Sequence, residues 1–174
     1  SSCLLHRWPD VPRPRRDQDA VLETTLAVIA EQGVMGISVD AVAARAGVSK
    51  ATIYRHWGSR ARLIHAAISS LQPPLVEPDT GSLRNDLVVL LTSLIGFFDS
   101  PTVARVFPSL LDAAVRDPEL AALHQETLRT GRDSFERVVH LAIARGDLAD
   151  DVDVHLVVDL AIDPVTDQSR LKTL

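Results

Sequence analysis

Between residues 49 and 62 the chain reads SKATIYRHWGSRAR, and its reactive groups there are Lys50, Thr52, Tyr54, Arg55, His56 and Arg60. They are cations, hydroxyls and an imidazole, set around Ile53 and Trp57, which stand four residues apart as the apolar face of one helix would. From Ala41 to Val76 there is no Asp or Glu, yet Arg45, Lys50, Arg55, Arg60 and Arg62 fall inside that window. Groups that donate hydrogen bonds from a surface of one charge sign suit a polyanion such as nucleic acid.

The elements that must position these groups follow from the residues around them. Ser38 is an N-cap type, and Val39, Val42, Ala43 and Ala46 then mark one apolar helical face. Gly47 stands where that helix must stop, at a place that commonly needs a positive φ. Val48 is an apolar plug, and Ser49 caps a second helix that carries Lys50 to His56. A helix, a short turn containing Gly and a second helix make the helix-turn-helix arrangement, whose second helix enters the DNA major groove.

The residues VDAVAARAGVSKATIYRHWGSRARLI, preceded by AEQGVMGIS, resemble the DNA-binding domain of the tetracycline-repressor (TetR) family of bacterial transcription regulators. The Gly47-Val48-Ser49 turn, the Thr52-Ile53-Tyr54 core and the His56-Trp57-Gly58-Ser59-Arg60 exit carry the likeness, which covers about residues 13–68. Beyond that, only the helical layout is similar. The resemblance implies an all-α protein: an N-terminal three-helix, helix-turn-helix DNA-binding domain and a C-terminal helical domain for ligand binding and dimerisation. It also implies a sequence-specific regulator, a repressor released from its operator by a small molecule. The alternative from the residues alone is a nonspecific helix-turn-helix DNA-binding protein without effector response.

Length and charge agree with two parts. The 174 residues can bury a real core, and the formal net charge is −5. Residues 1–72 hold nine Lys and Arg against six Asp and Glu, whereas residues 73–174 hold nine against seventeen. A basic module joined to an acidic one removes the objection that net charge raises to DNA. The lone cysteine, Cys3, excludes an internal disulfide framework and fits a reducing, cytoplasmic setting. No apolar run reaches membrane-span length, and the patch in SSCLLHRWPD is too short for a signal peptide.

Taken in order, residues 1–16 read as a basic flexible arm, with Pro9, Pro12 and Pro14 against helix. Residues 17–72 form the DNA-binding domain: a first helix over 17–32, the helix-turn-helix, and a fourth helix capped by Ser59 and closed by Pro73-Pro74. Arg60 and Arg62 stand in that fourth helix's first turn, against the helix dipole, which makes sense if a phosphate sits there. Residues 73–174 form the second domain. Ser82, Ser100-Pro101 and Asp117-Pro118 open its helices, and Gly146 ends the longest. Pro108 is expected to kink or break its helix near Phe107. The last helix, 152–162, is expected to stop at Asp163-Pro164, leaving a polar-leaning tail. Its apolar residues on several sides predict burial beyond one stripe, either within the core or against a second chain. With the two-fold site that a helix-turn-helix calls for, the expectation is a homodimer for the intact protein, weakened or rearranged in this 174-residue chain.

The candidate DNA-binding residues are Ser38, Arg45, Ser49, Lys50, Ala51, Thr52, Tyr54, Arg55, His56 and Arg60. Lys50 is placed to read bases and Ala51 to touch a thymine methyl. Thr52, Tyr54, His56, Arg60 and Ser38 are placed to hold phosphates, and Arg45 and Arg55 either to do one of these or to be solvated. The partners implied are double-stranded DNA with a palindromic operator, a small-molecule effector and a second copy of the chain, with no membrane. Phe97, Phe98, Phe107, Leu111 and Phe135 either line an effector pocket or are plain core. His124, His140 and His155 lack metal-ligand spacing, and Asp150, Asp151 and Asp153 fit helix capping better than a calcium loop. There is no GxSxG, no phosphate-cradling glycine loop and no Cys/His pair. No catalytic residue, metal or cofactor is therefore called for.

Overall fold

The computed structural model describes residues 16–72 and 78–171. Among them every regular element is a helix: α1 (Arg16–Gln32), α2 (Val39–Ala46), α3 (Lys50–Trp57), α4 (Arg60–Ser69), α5 (Leu83–Phe98), α6 (Pro101–Arg116), α7 (Pro118–Arg145) and α8 (Val154–Leu171). Residues 1–15 of the expected arm, with Cys3, lie outside the described residues, and its last residue, Arg16, begins α1.

Local chemistry sets most helix ends. Gly47 has φ 69°, so the chain turns sharply, and the Val48 N–H closes on the Ala43 carbonyl at 3.0 Å. Ser49 Oγ accepts the Thr52 N–H, and Ser59 Oγ accepts the Arg62 N–H, each at 3.1 Å. Asp117 Oδ1 accepts from both the Glu119 and Leu120 amides, with Pro118 in the first turn of α7. Ser38 holds the N-cap backbone of α2 but makes no side-chain cap bond.

Two apolar clusters hold the helices together. The first joins Val21, Ile29, Val42, Ile53, Leu63 and Ile64 of α1–α4 to Val106, Leu110 and Ala113 of α6 and Leu120 of α7. The core of the helix-turn-helix thus crosses the expected division at residues 72 and 73. The second cluster packs α5, α7 and α8 around Leu90, Phe135, Val139 and Val158.

One expectation about proline is corrected and another narrowed. α8 runs through Pro164 to Leu171 instead of stopping at Asp163, and α6 runs through Pro108 without the break that is one of its two expected outcomes. A proline inside a helix frees the carbonyl four residues back. Here those carbonyls belong to Ala104 and Leu160, both exposed residues, so the lost helix bond falls on the surface of the helix and not in its core.

Candidate nucleic-acid interface

α3 lies on the surface with Ile53 as its buried anchor and Trp57 half-buried. Lys50, Ala51, Tyr54, Arg55 and His56 are exposed, as are Ser38, Arg45 and Ser49. Thr52 is half-buried, its hydroxyl 2.8 Å from that of Ser49. The structure therefore gathers most of the expected set on one exposed helix and its cap.

Electrostatics supply what the linear sequence hides. The acid-free window is acid-free only along the chain. Arg45 forks onto Glu31, with Nη1 and Nη2 at 2.7 and 2.8 Å from the two carboxylate oxygens, joining α2 to the end of α1. Lys50 Nζ stands 2.9 Å from Asp40 Oδ1 and 3.0 Å from Oδ2. The hydrogen bonds to Glu31 and Asp40, and then their charges, raise the pKa of both cations above the ordinary range. The same bond to Arg45 lowers that of Glu31.

Arg60 is turned inward. Its Nε donates to the Ile37 carbonyl at 3.0 Å and its Nη2 to the Val34 carbonyl at 2.6 Å, while Nη1 lies 3.8 Å from Asp117. Beside it Ser59 Oγ donates to Glu119 Oε1 at 2.8 Å, and Arg62 Nε lies 3.5 Å from the same oxygen. The anion at the start of α4 is thus a carboxylate of α7. Arg55 is the one cation of the window with no carboxylate partner among the described residues.

A second feature is a cleft of about 550 Å³ between α1 and α3, lined by Asp17, Gln18, Thr52, Arg55, His56 and Trp57 among others. Gln18 Nε2 is 2.8 Å from His56 Nδ1. With the amide nitrogen donating, Nδ1 accepts and the ring proton sits on Nε2. Gln18, Glu31, Asp40, Asp117 and Glu119 were not among the expected residues. Asp117 is marked in the sequence only as a helix cap and the others by no motif, because each meets its partner across two different elements.

The expected pocket residues divide. Phe97, Phe98 and Phe107 form one edge-to-face cluster with centroids 5.2–6.5 Å apart, and His124 joins it 5.9 Å from Phe107. Phe135 belongs to the second core and Leu111 is half-buried on α6. A hollow of about 350 Å³ opens beside Leu71, Ser93, Gly96, Phe97 and Ser100, so Phe97 alone of the five lines it. His65 of α4 lies 2.7 Å from Thr127 of α7 and reaches the Leu123 carbonyl. Burial lowers the pKa of His65 and His124, and the charge of His65 lowers that of His124 further.

A helix-turn-helix on a helical body, with an exposed recognition helix, defines a DNA-binding transcriptional regulator. Comparison with known families bears on this directly. Residues 21–67 match the model described as bacterial regulatory proteins, tetR family, and residues 77–171 match the tetracyclin repressor-like C-terminal domain. The chain belongs to the TetR family. It is 31% identical over 156 residues to YdeS of Bacillus subtilis, an uncharacterized HTH-type transcriptional regulator, covering 88% of this chain and 78% of that one. It is 33% identical, over 87% of this chain and 80% of the other, to the DNA-binding transcriptional repressor TetR of Mycobacteroides abscessus. Among solved structures, a TetR-family regulator from Rhodococcus sp. superposes with TM-score 0.70 at 25% identity, over 91% of this chain and 89% of that one. The protein is a regulator rather than an enzyme. No single helix among the described residues is long and apolar enough to cross a membrane.

Proposed function

We propose that this regulator is an operator-specific repressor that binds a palindromic site as a homodimer in the cytoplasm and is released by a small molecule. The observation that carries the DNA reading is Lys50, exposed in the first turn of α3 beside the Ser49 cap, where a recognition helix meets base edges. Tyr54, Arg55 and His56 follow on the exposed surface of the same helix and serve as phosphate contacts, with Ser38 at the start of α2.

The effector reading is supported by the joint between α4 and α7. Ser59, Arg60 and Arg62 on one side and Asp117 and Glu119 on the other tie the end of the helix-turn-helix to the long helix of the second half. A ligand that favours one setting of that joint shifts the population of DNA-competent molecules. The hollow beside Phe97 is the candidate seat, and its polar groups, Ser93 and Ser100, are uncharged. The dimer reading is supported by Leu156 and Leu160, 55% and 69% exposed and one turn apart on α8.

Selection of bound sequences from a random duplex pool tests the whole reading. Enrichment of a palindrome is expected. Binding that enriches no sequence would leave the nonspecific alternative. Tyr54→Phe should then weaken all enriched sequences by a similar factor, and sedimentation equilibrium should show a dimer that Leu160→Glu dissociates.

A further inference from the structure

We propose that Asp40 and Lys50 read one G·C base pair as a unit, Lys50 donating to the guanine and Asp40 accepting from the amino group of its cytosine. Asp40 is then a specificity-determining residue. The inference rests on the reading of α3 as the recognition helix.

Every other cation paired in this window has a partner that joins elements. Glu31 ties α1 to Arg45, and Asp117 and Glu119 tie α7 to the start of α4. Asp40 does little of that work. It stands in the first turn of α2, and α2 and α3 are already fixed by the Gly47 turn and by Val42 and Ile53, both wholly buried. The Asp40 and Lys50 side chains are 68% and 50% exposed, and a pair so open to water adds little to stability. A carboxylate on a surface that faces phosphates also lowers affinity for every sequence. What it supplies is an acceptor at the edge of the reading helix.

That acceptor has a matching donor. A G·C pair shows guanine N7 and O6, both acceptors, next to the cytosine N4 amino group in the major groove. O6 and N4 are hydrogen-bonded to each other, about 2.9 Å apart. The ammonium and carboxylate are separated by 2.9 Å, so the pair can face that edge with donor on acceptor at one end and acceptor on donor at the other. Lys50 has three N–H donors and keeps one for Asp40, and Asp40 has a second oxygen for the cytosine. An A·T pair sets its adenine amino group against the ammonium and its thymine O4 against the carboxylate. A C·G pair is mismatched in the same sense. A T·A pair offers thymine O4 and adenine N6 in the matching order but lacks the guanine N7 that the third ammonium N–H takes, so G·C is preferred, with T·A the nearest competitor.

Random-duplex selection with the whole chain, repeated for Asp40→Ala, Asp40→Glu, Lys50→Gln and the Asp40→Ala/Lys50→Gln double variant, tests this. Wild type should enrich a G·C pair at one position per half-site. Asp40→Ala should bind all duplexes more tightly while losing a preference of about tenfold at that position. Asp40→Glu keeps the charge but displaces the carboxylate by one methylene. Its overall affinity should stay near wild type while the preference at that base pair falls. The double variant should lose no more at that position than Lys50→Gln does. An Asp40→Ala protein that gains affinity uniformly and keeps the G·C preference would overturn the proposal. A wild-type protein that enriches no motif would instead overturn the recognition reading on which it rests.

Discussion

Ser59 and Glu119, sixty residues apart in the chain, meet through a 2.8 Å hydrogen bond that fastens the first turn of α4 to the first turn of α7. Arg60 completes the joint from the neighbouring position by binding the carbonyls of Val34 and Ile37. The side chain expected at a phosphate is thereby committed to the α1–α2 turn.

Arg60→Ala should therefore act on stability rather than on salt dependence. Hydrogen bonds from a charged donor contribute about 1.5–3 kcal/mol each, and at least part of that should be lost in thermal or denaturant unfolding. The slope of log affinity against log salt should stay at its wild-type value. A slope lowered by about 0.9 per protomer would place Arg60 on a phosphate after all.

Arg55 should behave in the opposite way. It is exposed and, among the described residues, has no carboxylate to leave before it meets a phosphate. Arg55→Gln should lower the salt slope by about 0.9 per protomer and leave the melting temperature nearly unchanged. An unaltered slope, measured by anisotropy on a fixed duplex at several salt concentrations, would leave Arg55 in solvent.

The far end of α7 carries a second joint. Arg145 donates to Asp86 at 3.0 Å and to Asp79 and Asp147, and Asp86 is wholly buried while accepting from the Thr80 N–H and hydroxyl. Burial pushes the Asp86 carboxyl up, but these bonds outweigh it and hold the group below its ordinary range. Arg145→Ala strands that carboxylate, at a cost on the order of 1–3 kcal/mol. A lowered melting temperature that Asp86→Asn partly restores in the double variant is the expected result.

Acid should loosen the α4–α7 contact. His65 and His124 have pKa values lowered in the fold by burial, so the unfolded chain takes up their protons first, from about pH 6.5. Their contribution to stability is complete above that pH and is lost as the pH falls from there through the lower folded-state values. Melting temperature followed from pH 7.5 to 5 should drop, and His65→Gln with His124→Phe should flatten the drop. An identical pH profile in the double variant would assign the effect elsewhere.

How much of this was legible depended on range. Ser59, Ser82, Asp117-Pro118 and Gly146 mark helix ends because capping is settled within four residues, and the structure places ends there. The Gly47 turn and the buried Ile53 followed from the same short-range logic. Pro164 does not end its helix, nor Pro108 break α6, because a proline's cost in a helix depends on how the freed carbonyl is accommodated, which only the packing decides. The carboxylates on Arg45, Lys50, Arg60 and Arg62 were invisible for a related reason. All four come from an element other than the cation's own, and Asp40 lies one residue before the acid-free window. Phe135 shares residue type with Phe97, Phe98 and Phe107 but faces the α5–α8 core, a difference that helical spacing does not carry.

The 28 residues of α7 span about 42 Å at 1.5 Å per residue. One end is gripped at the exit of the helix-turn-helix and the other at the start of α5, with α5, α6 and α8 along its length. Mechanically it is a beam clamped at both ends. A tilt of about 3° moves one end relative to the other by about 2 Å, enough to part the bond between Ser59 and Glu119. In the proposed release by a small molecule, such a tilt would carry a disturbance along α7 to the corner that holds α3, without any chain of side-chain rearrangements between them.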